Sequence, residues 1–426
     1  MRVDIVGAGP TGVTIAWLMS KTHEVHVWDL HDTCGGSWWE PGPNAYGVDP
    51  SSIATQSRGV DPDLHAPRVV FKEAFVNTRW LFDQMGLDWD KYFKPGAAVS
   101  ESIEIFLKRF SARDYLEFAK FLILGFRDDG RTVKDHLEGR LTPGAERLVA
   151  TLPIVMDGVD WSRMTAWEFI QSFNIVALSS SQTQRVSGRI MGQDLERVLR
   201  KVGVKFHFNE RLVDIEKRTF ESGKTLNGKN PMVLCLDPKN LKRLSRPNSE
   251  EIGFLEKIEY GCVNVLLHYD ERPKEINSYE EVADTKWNIL PTWLYNDSNI
   301  LSCVLVEPPD VPPGELLDGI LEQLGLPSPR YYRFCWGSEW DGRKWVGHQS
   351  SGIYSNPGMS YGSEYQNTYI CGMMSNRLTP YASIEAAIEV GRDFCGVPPS
   401  KPITATLLIG LILLIIYGVQ KTRHDL

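Results

Sequence analysis

No two cysteines in this 426-residue chain are spaced as CxxC, although there are seven of them, at positions 34, 235, 262, 303, 335, 371 and 395. Single thiols in odd number argue against a disulfide framework and a zinc site, and they suit a reducing compartment. His65, His136, His207, His268 and His348 lack metal-ligand spacing as well, so no metal site is expected. There is no long basic stretch: 46 Lys and Arg stand against 54 Asp and Glu, for a net charge of -8. That balance argues against a nucleic-acid backbone as the main partner. No repeat, low-complexity tract or long linker interrupts the body. Serine-rich stretches such as 179–181 carry no nucleophile elbow, which leaves hydrolase chemistry unsupported. A signal peptide is not expected, because the first residues already read as a strand. With 42% hydrophobic and 23% charged residues, the remainder is an ordinary folded chain with core for roughly two to three domains.

What is present begins at once. Val3 to Val6 reads as an apolar strand that feeds into Gly7-Ala8-Gly9-Pro10-Thr11-Gly12, and a second strand, His23 to Asp29, precedes Gly35-Gly36. Strand, glycines, helix, strand and acid in register point to a bound dinucleotide. Gly7 permits the tight turn, Gly9 lets backbone N–H groups approach a pyrophosphate, and Gly12 lets the following helix pack closely on the sheet. The phosphates would sit at that helix's N-terminus, where unpaired N–H groups and the helix dipole favour an anion. Asp29, at the end of the second strand, is placed to accept hydrogen bonds from an adenosine ribose.

The other end of the chain has a different character. Ile403 to Val419 carries no charge, and as a helix at about 1.5 Å per residue it reaches roughly 25 Å, within the range of a membrane span. It follows a proline-rich stretch, Pro398 to Pro402, and precedes a polar tail with Lys421 and Arg423. The expectation is a single-pass lipid anchor, the main domain facing the cytosol and the short tail crossing; the alternative is a buried core helix. Which membrane is involved is not readable.

Between these ends, apolar residues at spacings of three and four predict helices over 75–85, 112–126 and 165–173. Further on, 192–202 reads as a helix, 205–208, 211–215 and 231–236 as strands, 261–269 and 300–306 as strands, 314–324 as a helix, and 368–371 as a strand before a helix over 383–394. Three separated motifs in this pattern resemble the FAD-dependent amine oxidase superfamily, which includes monoamine and polyamine oxidases, protoporphyrinogen oxidase and phytoene desaturases. The first is the opening glycine loop with Asp29 and Gly35-Gly36. The second is Gly188 to Leu195, with Gly203-Val204 and Leu212 to Ile215. The third is Tyr369 to Gly372 followed by Tyr381 to Gly391.

The resemblance implies an α/β fold: a Rossmann-like FAD-binding domain of residues 1–68, 186–247 and 358–396, interleaved with an α+β substrate domain of residues 69–185 and 248–357. A linker at 397–402, a transmembrane helix at 403–419 and a polar tail at 420–426 would complete the chain. It also implies non-covalent FAD, held by Gly7, Ala8, Gly9, Pro10, Thr11, Gly12, Asp29, Gly35, Gly36 and Ser37. Leu212 would meet the adenine through its backbone, and Gly372, Ser383 and Ile384 would lie at the flavin end. A helix N-terminus there stabilises the negative charge of a reduced flavin on physical grounds alone.

The chain departs from the amine-oxidising members at informative places. Asn264 stands where many carry a lysine bridged by water to the flavin, and Ser383 where an aromatic cage has a tyrosine. Ser37-Trp38-Trp39 replaces a phosphate-side arginine, and Met373 an acid. Tyr354 matches the other cage tyrosine, Ile353 the position of a covalent cysteine, and Ser51 and Ser52 the segment over the flavin face. No catalytic residue is assigned. The leading expectation is a membrane-anchored oxidoreductase for a small amine or an apolar substrate. Two alternatives remain open: a catalytically silent flavoprotein-fold module at a membrane, for instance in a viral particle, and an enzyme similar to UDP-galactopyranose mutase, suggested by Arg377-Leu378 and Tyr381.

Overall fold

The computed structural model describes residues 1–36, 69–95, 109–125, 129–176, 179–186, 188–247, 249–256, 263–276, 285–293, 299–334, 338–347, 358–379, 383–400, 409–410 and 412–415. Ser37, Ser51, Ser52, Ile353, Tyr354 and Tyr381, singled out above, lie outside this set.

A five-stranded parallel sheet in the order β16-β9-β1-β2-β6 organises the first layer system. Its strands are β1 (Arg2–Val6), β2 (Glu24–Trp28), β6 (Lys205–His207), β9 (Met232–Leu234) and β16 (Thr368–Ile370). β1 is apolar from Val3 onward apart from Asp4 because both of its faces are covered, as parallel sheets require. On one face Val3, Ile5, Val25 and Val27 pack with Val13, Ile15, Ile388 and Val390. These last belong to α1 (Pro10–Met19) and a late helix, Ile384–Phe394. On the other face Val6, Trp28, Met232, Leu234 and Ile370 pack with Phe220, Leu241 and Ile252. Asp4 is tolerated at this buried position because Trp28 Nε1 (3.0 Å) and Arg2 donate to its carboxylate.

Next in the chain come α2 (Val76–Met85) and α3 (Trp89–Tyr92), followed by a helical lobe. The lobe holds α4 (Ala112–Leu124), α5 (Val133–Leu137), α6 (Pro143–Asp157) and α7 (Ala166–Val176), around Phe118, Leu122, Phe169 and Ile170. Capping boxes start two of them: Ser111 with Asp114, and Thr132 with Asp135. The three-stranded antiparallel sheet β3 (Val69–Phe71), β5 (Ser181–Gln184) and β4 (Phe93–Pro95) flanks this stretch. α8 (Gly188–Lys201) then returns to the parallel sheet, with a hairpin of β7 (Leu212–Asp214) and β8 (Thr219–Phe220) and the short α9 (Pro238–Leu244) and α10 (Glu250–Leu255).

A second sheet, antiparallel, runs β11 (Leu290–Trp293), β12 (Ile300–Leu305), β10 (Val263–His268), β13 (Tyr331–Phe334). Val263, Val265 and Leu267 alternate onto the face covered by α11 (Pro313–Leu324), through Leu316 and Ile320. A small hairpin, β14 (Ser338–Trp340) with β15 (Trp345–Gly347), follows. The late helix is α12 (Ile384–Phe394).

The membrane-spanning helix expected at 403–419 is not found: among the described residues no helix is long and apolar enough to cross a membrane. Residues 409–410 and 412–415 are helical, and Ile409 and Leu413 pack on the aromatic core of the helical lobe. A run apolar on every side is able to use one side for protein, and this one does.

Candidate dinucleotide site

Between β1 and α1 the backbone makes a turn that only glycine fits. Gly7 has φ +106°, and its N–H donates to Trp28 O at 2.8 Å. A Cβ there would lie 2.3 Å from Cys235 O. At Gly12 a Cβ would lie 2.0 Å from Gly7 O, so the first turn of α1 rests directly on the loop, as the spacing implied. Gly9 is the N-cap of α1, extended and without a side-chain cap; Pro10 opens the helix, and no acid occupies the first turn. The helix therefore presents its leading N–H groups and the positive end of its dipole without a side chain competing for them.

Gly35 and Gly36 close over this N-cap. Gly35 N donates to Ala8 O at 2.9 Å, and a Cβ on Gly36 would fall 2.7 Å from Gly9 Cα. α8 presses the same segment from outside: Cys34 Sγ donates to Gly192 O at 2.8 Å, and a Cβ on Gly192 would be 2.0 Å from Cys34 O. A sharp turn and close contacts met by glycine alone, beside an uncapped helix N-terminus, fit the phosphate part of a dinucleotide.

Asp29 does more than its expected ribose role. Its Oδ2 accepts from Ala8 N at 2.6 Å, and its Oδ1 accepts from His31 N at 2.8 Å and meets His31 Nδ1 at 2.7 Å. The carboxylate thus ties the end of β2 to the glycine loop. Leu212 pairs with Phe220 in the β7–β8 hairpin, and the adjacent Glu210 N donates to Asp29 O at 2.9 Å, which puts this strand beside the end of β2.

α12 completes the arrangement. Ser383 is its N-cap, and the hydroxyl accepts from Ala386 N at 3.2 Å. Ile384 and Ile388 line a small apolar cavity of about 20 Å3 together with Pro10, Val13, Gly35 and Gly192. Thr11 turns its hydroxyl to Ala387 O at 3.0 Å, and a Cβ on Gly391 would stand 2.9 Å from Thr14 Cβ. Gly372 follows β16, its N–H donating to Ser375 Oγ at 3.2 Å. Of the expected site residues, the structure therefore draws Gly7 to Gly12, Asp29, Gly35, Gly36 and Ile384 into contact. Leu212 comes two residues after Glu210, whose N–H bonds Asp29 O, and Ser37 falls outside the described residues.

Sequence reasoning missed a buried polar network behind α12. Glu385, 1% exposed, accepts from Asn77 N (2.7 Å), Asn77 Nδ2 (2.7 Å), Thr78 N (2.8 Å) and Thr78 Oγ1 (2.8 Å), which caps the start of α2. Asn77 Oδ1 in turn accepts from Arg392 Nη1 at 2.6 Å and Ser400 N at 2.9 Å. The signal was available: Glu385, Glu389 and Arg392 recur at i, i+4 and i+7 on one stripe of a helix. Burial pushes the Glu385 pKa up to about 7 against these four donors. A carboxyl with a raised folded-state pKa contributes stability at low pH and loses it as pH rises through that value. Between about pH 4.5 and 7 the stability attributable to Glu385 is expected to fall by roughly 3 kcal/mol. Urea midpoints of wild type and Glu385→Gln across that window check this, since the variant should lose that part of the slope.

On the second sheet, Asn264 lies on the face opposite α11, fully buried, and accepts from Ser302 Oγ at 2.9 Å. Burial pushes the pKa of His268, on the same face, down to about 4, so it is neutral near pH 7. Arg377 donates to Met373 O (3.2 Å) and Thr379 O (2.8 Å), carbonyls of its own loop.

Residues 5–49 match the NAD(P)-binding Rossmann-like domain. No curated protein matches the chain. Among solved structures, an oxidoreductase from Methanosarcina mazei superposes with a TM-score of 0.63 at 11% identity, covering 93% of this chain and 100% of that one. A putrescine oxidase with bound putrescine gives 0.58 at 14% identity over 93% and 98%. Cyclohexylamine oxidase from Brevibacterium oxydans gives 0.54 at 14% identity over 97% and 99%. The chain thus has, over nearly its whole length, the Rossmann-like α/β fold on which these oxidoreductases are built.

Proposed function

We propose that this protein binds FAD non-covalently and works as an amine-oxidase-type oxidoreductase on a small amine or an apolar substrate, in association with a membrane. The observation that carries the reading is the uncapped N-terminus of α1, over which Gly35-Gly36 close and against which α12 packs through Thr11 and Gly391. In this reading the first turn of α1 and Gly35-Gly36 hold the pyrophosphate. Asp29 and the Leu212 backbone take the adenosine, and the first turn of α12 faces the pyrimidine edge of the flavin. When bound, FAD supplies the two-electron redox chemistry; the protein's part is to orient the ring and to favour negative charge at its edge. Anaerobic addition of primary amines to the FAD-loaded protein is expected to bleach the visible flavin band. Bound flavin that no amine or quinol reduces would argue for the second reading, a silent flavoprotein-fold module. That reading draws on Asn264, a buried amide where the resemblance implies a cation.

A further inference from the structure

Ten large hydrophobic side chains are exposed among the described residues, and four of them belong to one pair of helices. Ile123 (37%) and Leu124 (60%) end α4, while Ile412 (44%) and Ile415 (58%) belong to the C-terminal helical segment. The two sets meet at Gly410, where a Cβ would lie 3.1 Å from Ile123 Cγ1 and 3.7 Å from Ala119 O. The segment's inner side is already used: Ile409 and Leu413 pack on the cluster built from Phe118, Leu122 and Phe169. The outer side lies within a run, 403–419, that has no charged residue, and Lys421 and Arg423 follow it.

From this we infer that the protein is a monotopic one: the C-terminal helix stays packed on α4, and its outer face, with the tip of α4, forms a ledge that seats in a single leaflet of a lipid bilayer. The inference rests on the membrane association proposed above and fixes its geometry. Spanning would require the helix to leave α4, exposing Ala119, Ile123 and the flank of an aromatic core to water, a loss of about 25 cal/mol for each Å2 bared. Lying flat keeps those contacts and adds lipid contact on the opposite side, while Lys421 and Arg423 stay at the headgroups on the same side as the folded domain. An exposed apolar patch of this kind marks an interaction surface. The absence of charge along 403–419, with basic residues at its end, selects lipid over a second copy of the chain.

The test uses the full chain on sealed vesicles of phosphatidylcholine with a minority of phosphatidylserine. A Thr422→Cys variant is labelled from outside with a membrane-impermeant maleimide, and the labelled peptide is identified by mass. Labelling at 422 without detergent is expected. A second variant, Leu124→Glu with Ile415→Glu, changes only exposed positions; it is expected to keep the urea midpoint and to bind vesicles about tenfold more weakly or worse. Protection of residue 422 until detergent is added would overturn the ledge and leave membrane association standing. Failure of the unmodified chain to float with vesicles would overturn both. A concentration-dependent dimer that the double variant abolishes, with no vesicle binding, would assign the face to self-association instead.

Discussion

Replacing Gly7 by alanine is expected to destabilise the protein by about 3 to 5 kcal/mol and to abolish FAD retention. Two costs add at this position. The backbone sits at φ +106°, where a side chain costs about 1–3 kcal/mol, and the new methyl would press to 2.3 Å from Cys235 O, an overpacking of about 1–3 kcal/mol. Relief requires moving β9 away from β1, because Cys235 N also donates to Val6 O at 2.7 Å. That movement would shift the N-cap Gly9 and the Asp29–Ala8 hydrogen bond together. Gly228→Ala is the control: nothing lies within 4 Å of its Cβ position, and a change within about 0.5 kcal/mol is expected there. Urea denaturation of the two variants, with flavin content after gel filtration, measures both effects.

The second large effect belongs to Arg218, which was not among the expected site residues. It is 4% exposed, and its guanidinium donates to Asn230 O (2.6 Å), Gln366 O (2.5 Å), Asn367 O (3.0 Å), Thr368 Oγ1 (3.3 Å) and Asn227 O (3.4 Å). One planar cation thus joins the loop that enters β9 to the turn that enters β16. Arg218→Ala would remove several charge-assisted hydrogen bonds from a buried guanidinium to part-buried carbonyls, each worth about 1.5–3 kcal/mol. The expected loss is about 3 to 5 kcal/mol in the urea-derived stability. Arg218→Lys keeps the charge but not the fork, so it is expected to recover less than half of that loss. Because β16 leads through Gly372 toward α12, the alanine variant should also weaken FAD retention without touching the glycine loop.

Much of the fold was legible because period and punctuation agree over long stretches. The helices expected at 75–85, 314–324 and 383–394 appear at Val76–Met85, Pro313–Leu324 and Ile384–Phe394. The strands expected at 3–6, 23–29, 231–236 and 368–371 appear at Arg2–Val6, Glu24–Trp28, Met232–Leu234 and Thr368–Ile370. The glycine loop was legible for a different reason: Gly7 and Gly12 answer steric demands that no other residue meets, so their spacing carries geometry. Less was readable where function depends on partners brought in by the fold. Asp29 carried a ribose-binding signature, yet nothing in sequence says that Ala8 N and His31 engage it as well. Arg218 and Glu385 look like surface charges until the chain closes around them, since Gln366 and Asn367 for the one, and Asn77 and Thr78 for the other, lie more than a hundred residues away. The segment 403–419 shows the same limit, for hydropathy reports how apolar a helix is and is silent on whether lipid or the Phe118 cluster takes its inner face.

FAD uptake by the purified full chain bears most directly on the central claim, that three distant parts of the sequence hold one flavin dinucleotide. Protein incubated with FAD and freed of excess by gel filtration is expected to carry a visible flavin spectrum near one flavin per chain. Acid should release that flavin, and Gly7→Ala should lack it. A wild-type protein that folds, yet shows no flavin bands after the same treatment, would contradict the account.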